Sequence, residues 1–240
     1  MKINPIEAVL KNKLLNNVIV FDTIESTNNY LINNSNPSGT VAVAAVQKYG
    51  KGKQGASWIS ARGGLWFSFI IHKKIKMPFL FVILSSVAVA DTLKSYGVKP
   101  EIKWPNDVLV GGKKICGILI ENDSYNGRIV TGVGINLNNR VPAGKGINAV
   151  SLSKLTGKKT DIDEFFCGVL KRIDQNLADI KTGRAQLISR WVRYQESLKG
   201  RQIKVIKNGS VKIYKALNVT SKGTIMTECG KEIKGEVFFL

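Results

Sequence analysis

Four short stretches of this chain hold residues that could do chemistry on an anion. In Tyr49-Gly-Lys-Gly-Lys-Gln-Gly-Ala-Ser-Trp58, the glycines Gly50, Gly52 and Gly55 are interleaved with Lys51 and Lys53. Glycine lets backbone N–H groups turn toward an anion and lets the chain pass close to it. Lysine brings a point charge, and Trp58 offers a flat face for a base or ring. Lys103-Trp-Pro-Asn-Asp107 places a cation, an amide and a carboxylate within one turn. Lys114-Ile-Cys-Gly117 sets a second lysine three residues before a glycine, and Ser26-Thr27-Asn28 with Gln47 adds short hydrogen-bonding groups. The loop is not a P-loop, because no Gly-Lys-Ser/Thr follows a four-residue gap, and it lacks the helix of a dinucleotide fingerprint. Each stretch alone reads equally well as a solvated loop, a helix cap or a plain turn.

The surrounding pattern supplies a frame. Val18 to Phe21 is a β run, and Ser26 or Thr27 is a natural N-cap for a helix through Tyr30-Leu-Ile. After a turn at Pro37-Ser-Gly39, Thr40 to Gln47 predicts a strand that ends at the glycine–lysine loop. Gly64 to His72 predicts its partner, so the loop joins neighbouring strands. Pro78 opens the most apolar helix, stopped near Tyr96 by Gly97. Ile102 to Trp104 and Val108 to Val110 flank the Pro105-Asn-Asp107 turn. Gly111-Gly112 then turns the chain into Lys114 to Glu121, and Arg128 to Leu137 follows as a strand. Asp161-Ile-Asp-Glu164 has capping-box spacing and starts a helix to about Ile180; another runs from about Gly183 to Leu198 with Leu187 and Trp191 inward. Residues 3–16 are a further short helix candidate. After Gly200 come short alternating strands, Ile203 to Ile206, Val211 to Ala216, Gly223 to Thr227 and Glu232 to Phe239, which predict a small antiparallel barrel or sandwich.

Length and composition bound the class. With 240 residues and 44% apolar content the chain can bury a substantial core. Its longest apolar run, Phe79 to Ala90, is too short to span a membrane, and the N-terminus lacks a signal-peptide core, so a cytoplasmic location without membrane attachment is expected. Cys116, Cys167 and Cys229 are scattered without metal-site spacing. His72 is the one histidine, which argues against a histidine metal site or a Ser-His-Asp triad. The net charge of +19 suits nucleic acid, an acidic protein or phosphate-bearing small molecules.

The motifs, in order, resemble those of biotin protein ligases: Ser26-Thr27-Asn28, Gln47 with Gly50-Lys-Gly-Lys-Gln-Gly55 and Trp58, Lys103-Trp-Pro-Asn-Asp107, Lys114 to Glu121, and Gly132-Val-Gly-Ile-Asn136. A small C-terminal β region ending in Gly235-Glu-Val completes the order, and the resemblance covers about residues 18–240. Lipoate ligases share the core but are not expected to pair the Lys103–Asp107 run with this loop. A lipoate or octanoyl ligase is the alternative of similar chemistry. A basic nucleic-acid-binding module is the alternative of another class; it leaves the ordered motifs unexplained.

The resemblance implies an α/β (α+β) fold: a mixed β-sheet flanked by helices, the class II synthetase-like catalytic core, over residues 1–198, and an SH3-like β-barrel over 199–240. It implies that biotin and ATP with Mg²⁺ form biotinoyl-5'-AMP, and that biotin then passes to a lysine of a biotin carboxyl carrier protein. Lys114, assisted by Lys51 and Lys53, would neutralise the anion-on-anion step. Lys103, Asn106, Asn136 and Trp58 would hold ATP, and Asp107 would contact Mg²⁺. Ser26, Thr27, Asn28 and Gln47 would hydrogen-bond the ureido ring, while Gly50, Gly52, Gly117, Gly132 and Gly134 would let backbone pass close to the substrate. Two departures stand out. Lys51 and Lys53 occupy positions where family loops usually carry arginine, so a leakier intermediate is expected. No N-terminal DNA-binding domain is read, so no nucleic-acid partner is expected; the basic surface would steer the carrier, and a homodimer is compatible with the sequence.

Overall fold

The computed structural model describes residues 12–240 apart from 75, 76, 124, 143, 145–147, 181, 196, 197, 208, 209, 221–223, 234–237 and 240. Most of the helix expected over 3–16, and the Gly235-Glu-Val end, lie outside the described residues; residues 12–16 are not helical.

Seven strands form the main sheet: β1 (Asn17–Ile24), β2 (Thr40–Gln47), β3 (Leu65–His72), β4 (Pro100–Lys103), β5 (Asp107–Val110), β6 (Lys113–Asp123) and β7 (Arg128–Ile135). Their order is β1-β2-β3-β7-β6-β5-β4, and β1 pairs with β2 in parallel while the other neighbours are antiparallel. The sheet is therefore mixed, as expected. Gly111 and Gly112, both at positive φ (57° and 72°), make the tight β5–β6 hairpin turn that L side chains disfavour.

One face of the sheet is covered by helices. Helix α2 (Leu80–Ser95) is apolar nearly all round and buried along most of its length, because it packs between the sheet and two more helices. These are α4 (Ile162–Ala178) and α5 (Arg184–Arg193), which follow the short α3 (Leu152–Thr156). Asp161 caps α4 through Asp163 N and Glu164 N, as its spacing predicts. Buried Asp174 on α4 accepts three backbone N–H groups, from Lys13, Leu14 and Leu15 at 2.8, 2.7 and 2.8 Å, and so fastens the segment before β1 to the helical layer. Helix α5 ends earlier than expected. Tyr194 leaves the helix because its carbonyl accepts Ile102 N at 2.7 Å and its hydroxyl donates to Asp91 at 2.6 Å.

The opposite face carries α1 (Thr27–Asn33), whose Leu31 packs with Ala42, Ile70 and Val130. Five further strands, β8 (Gln202–Lys207), β9 (Ser210–Val219), β10 (Ile225–Thr227), β11 (Glu232–Ile233) and β12 (Phe238–Phe239), form a second sheet in the order β11-β10-β9-β8-β12. Its Ile203, Ala216, Ile225 and Ile233 join the same buried cluster as Leu198 and Trp191. Among the described residues no helix is long and apolar enough to cross a membrane.

Candidate active site

Strand register builds the floor of the site. Alternation along β3, β7 and β6 puts Ser68, Gly132 and Leu119 in one row across the sheet, and Trp66, Gly134, Gly117 and Asp107 in the next. The glycines sit where side chains press down. A Cβ on Gly132 would lie 2.3 Å from Asn28 Oδ1, one on Gly134 2.5 Å from Trp58 Nε1, and one on Gly117 2.9 Å from Trp58 Cζ3. A side chain at any of these three places would have to displace Asn28 or Trp58.

A register shift aims the central lysine. Lys114 and Gly117 are three apart, so strict alternation would place them on opposite faces of β6. The bulge between Val108 and Leu109 pairs Leu109 with Lys114 while Asp107 still pairs with Gly117. The extra residue on β6 turns Lys114 onto the Gly117 face, where its Nζ meets Asp107 Oδ1 at 2.7 Å and lies 4.9 Å from the Trp58 ring centroid. Both partners are half-buried, and the ammonium is held by a carboxylate and an indole.

The end of the site beneath α1 is a chain of short polar contacts. Thr27 N and Oγ1 donate to Gln47 Oε1 at 2.9 and 3.0 Å, and Gln47 Nε2 donates to Ser60 Oγ at 2.8 Å. Thr27 Oγ1 also lies 2.6 Å from Ser68 Oγ, which reaches Asn28 Oδ1 at 2.5 Å. Asn28 Nδ2 donates to Glu121 Oε2 at 2.7 Å, which fixes the amide's orientation, and Glu121 Oε1 faces Lys51 Nζ at 3.5 Å. Thr27 and Ser68 have one hydroxyl proton each, yet three contacts call on them. The cluster is one proton short and rich in acceptors.

Two cavities meet at Trp58, Asp107 and Lys114. The first, of about 220 Å³, is lined by Ser26, Thr27, Asn28, Gln47, Ser68 and the glycine floor, with Lys51, Gly52 and Lys53 at its edge. The second, of about 420 Å³, holds Lys103, Asn136 and Asn139. Asn139 Nδ2 donates to Asn136 Oδ1 at 2.9 Å. Asn106, read from the sequence with the nucleotide group, lines the first cavity instead and anchors β6 by donating to Ile118 O at 2.8 Å. Gly50 lines neither; its carbonyl accepts Trp58 N at 2.8 Å on the far side of the loop. Trp58 was expected to stack on a base. Here its indole rests on Gly117 and Gly134 between the two cavities, with Nε1 buried and unpartnered.

Sequence reasoning missed Ser68, Ser60, Glu121 and Asn139. Ser68 had a faint signal, a lone hydroxyl amid Leu-Trp-Phe-Ser-Phe-Ile-Ile. Cys116 is fully buried, and burial pushes its thiol well above the usual range, so it is no nucleophile at neutral pH. Exposed His72 ends β3, away from both cavities. Among the described residues no group of three or more His, Cys, Asp or Glu is placed to hold a metal ion.

Residues 20–138 match the sequence profile of the Biotin/lipoate A/B protein ligase family. The Bifunctional ligase/repressor BirA of Bacillus subtilis is 31% identical over 226 residues, covering 90% of this chain and 69% of that protein. The Biotin--[acetyl-CoA-carboxylase] ligase of Paracoccus denitrificans is 29% identical over 142 residues, 53% of this chain and 59% of that protein. Among solved structures, biotin protein ligase from Aquifex aeolicus in complex with biotin and ATP superposes with a TM-score of 0.84 at 30% identity, covering 93% of this chain and 98% of that one.

Proposed function

The chain belongs to the Biotin/lipoate A/B protein ligase family, among its biotin–protein ligase enzymes, and from that premise we propose that it makes biotinoyl-5'-AMP and transfers biotin to a lysine of a biotin carboxyl carrier protein. The observation that carries the reading is the proton-short cluster of Thr27, Ser68, Asn28 and Gln47. A ureido ring brings two N–H donors to such a surface and one carbonyl oxygen, toward which Ser26 can turn its hydroxyl proton. An aliphatic or dithiolane ring would leave the same acceptors unmet, at a cost of about 1–3 kcal/mol for each group.

In the first step a carboxylate oxygen attacks the α-phosphorus, the bond to the bridging oxygen breaks, and pyrophosphate leaves with the electron pair. Lys114 lies where the two cavities join, so its ammonium exchanges Asp107 for the charge that builds between carboxylate and phosphate. Lys51 and Lys53 close the same charge from the loop, and Lys103 serves the phosphates from the second cavity. Asp107, a carboxylate lining both cavities, suits Mg²⁺ carried in by the triphosphate; the ion would supply further charge neutralisation. Asn136 bounds the nucleotide cavity and serves the base, and Trp58 is the wall that this cavity shares with the first. In the second step the neutral amine attacks the acyl carbon, the carbon–oxygen bond to phosphate breaks, AMP leaves, and the amine loses a proton. We assign residues 1–198 to this catalytic unit and 199–240 to a small SH3-like β unit.

The test is incubation with Mg-ATP, biotin and a purified biotin carboxyl carrier domain, followed by mass spectrometry. One biotinoyl group on one lysine is expected; an unmodified carrier would contradict the reading.

A further inference from the structure

We propose that the hollow where α2, β4 and α5 meet is a second ligand site, for a phosphate monoester with an apolar body. The hollow has a volume of about 620 Å³ and shares no lining residue with either cavity at the active site. The proposal does not depend on the ligase reading.

Its charge comes from three elements. Lys94 stands in the last turn of α2, Lys99 precedes β4, and Arg190 and Arg193 are three apart in the last turn of α5, so they share a helix face. Two carboxylates, Asp91 and Glu101, complete the charged lining. Asp91 is already engaged. Arg190 Nη2 and the Tyr194 hydroxyl both donate to it, the latter at 2.6 Å, and Arg190 Nη1 donates to Asn176 Oδ1 at 3.3 Å. Arg190 and Asp91 thus cancel. That leaves Lys94, Lys99 and Arg193 against Glu101, and among the described residues none of these four makes an ion pair. Three cations against one carboxylate leave two positive charges, which one phosphate monoester dianion neutralises. A cation in a last turn also answers the helix dipole, which accounts for Lys94 and Arg193 one at a time. It does not bring like charges from three elements around one hollow, where they repel until an anion enters.

The floor sets the rest of the ligand. Buried Pro100 and half-buried Val98 and Tyr194 give it apolar surface, and Tyr194 O accepts Ile102 N at 2.7 Å, which ties the end of α5 to β4. An inorganic anion leaves that surface wet, whereas an apolar body attached to the phosphate covers it. Arg193 offers the planar fork that phosphate oxygens accept, and the two lysines add point charges.

The test titrates phenyl phosphate, and separately inorganic phosphate, into isotope-labelled protein and follows the backbone amide shifts by NMR. The catalytic cavities are basic too, and they report through their own residues. Saturable shifts over residues 91–101 and 190–194 are expected, separate from any around Lys51 and Lys114, with phenyl phosphate at least about threefold the tighter. Lys99→Ala combined with Arg193→Ala should weaken this binding about tenfold or more and leave shifts around Lys114 as they were. Both side chains are exposed, and an unchanged spectrum elsewhere shows that the variant is folded. Shifts confined to the surroundings of Lys51 and Lys114, or binding at residues 91–101 that the double variant retains, would overturn the site. Equal affinity for the two probes would overturn the ligand class.

Discussion

Glu121 joins two parts of the site with one carboxylate: Oε2 takes the Asn28 amide and Oε1 faces Lys51 of the loop. With a carboxylate there, Asn28 must present Nδ2 to it and Oδ1 to Ser68. Replacing it by an amide removes that constraint, so Asn28 can turn its donor toward the cavity. Glu121→Gln is expected to raise the KM for biotin about tenfold, or about 1.4 kcal/mol, with a smaller change in kcat. Steady-state pyrophosphate release over a biotin series checks this, and an unchanged KM would remove Glu121 from the substrate end. Gly132→Ala forces a methyl to 2.3 Å from Asn28 Oδ1. Biotin binding measured by calorimetry should weaken at least about tenfold, while the unfolding temperature moves only a few degrees. Runs such as Ser26-Thr27-Asn28 and Lys114 to Gly117 were visible in the sequence because chemistry-bearing residues cluster there. The parts played by Ser68 and Glu121 were not, because both meet Asn28 only when α1 packs on the sheet, far from either residue in sequence.

Strands and caps were largely legible as elements. Aromatic and other large apolar residues fill β3, branched residues fill β7, Gly111-Gly112 turns a hairpin, and Asp161 caps α4. What stayed hidden depended on contacts distant in sequence. The bulge that aims Lys114 has no local signature, and α5 is cut short by bonds from Tyr194 to Ile102 and Asp91. The fastening of residues 13–15 to α4 was equally invisible, and it gives an element-level prediction. Asp174→Ala leaves three backbone N–H groups without their carboxylate and should cost about 2–4 kcal/mol, lowering the thermal midpoint by roughly 5–15 °C. Calorimetry decides it, and a shift below a degree or two would show that water replaces the carboxylate. For the loop, Lys53 offers one point charge where a guanidinium would clamp phosphate with two parallel bonds. Lys53→Arg is expected to slow escape of free biotinoyl-adenylate severalfold, read by quenching and chromatography. Equal release from both proteins would show that lysine retains the intermediate as well.

At the scale of the whole molecule, the mixed sheet divides the labour. Helices α2, α4 and α5 seal one face into the core, and the other is left to α1, the loop and the glycine floor. Two cavities then converge on Trp58, Asp107 and Lys114, matching a reaction that joins an acid to a nucleotide. The strand order and the parallel β1–β2 pair were beyond the sequence, since alternation reports which face a residue takes and not which strand lies next to it. The central claim is that this site activates biotin's carboxylate through Lys114. The most direct measurement is pyrophosphate release from Mg-ATP with biotin, lipoate or octanoate supplied singly, in the parent protein and in Lys114→Ala. Release with biotin alone, reduced about a hundredfold or more in the variant, is the predicted result. Release with lipoate or octanoate in its place, or undiminished release from Lys114→Ala, would contradict the account.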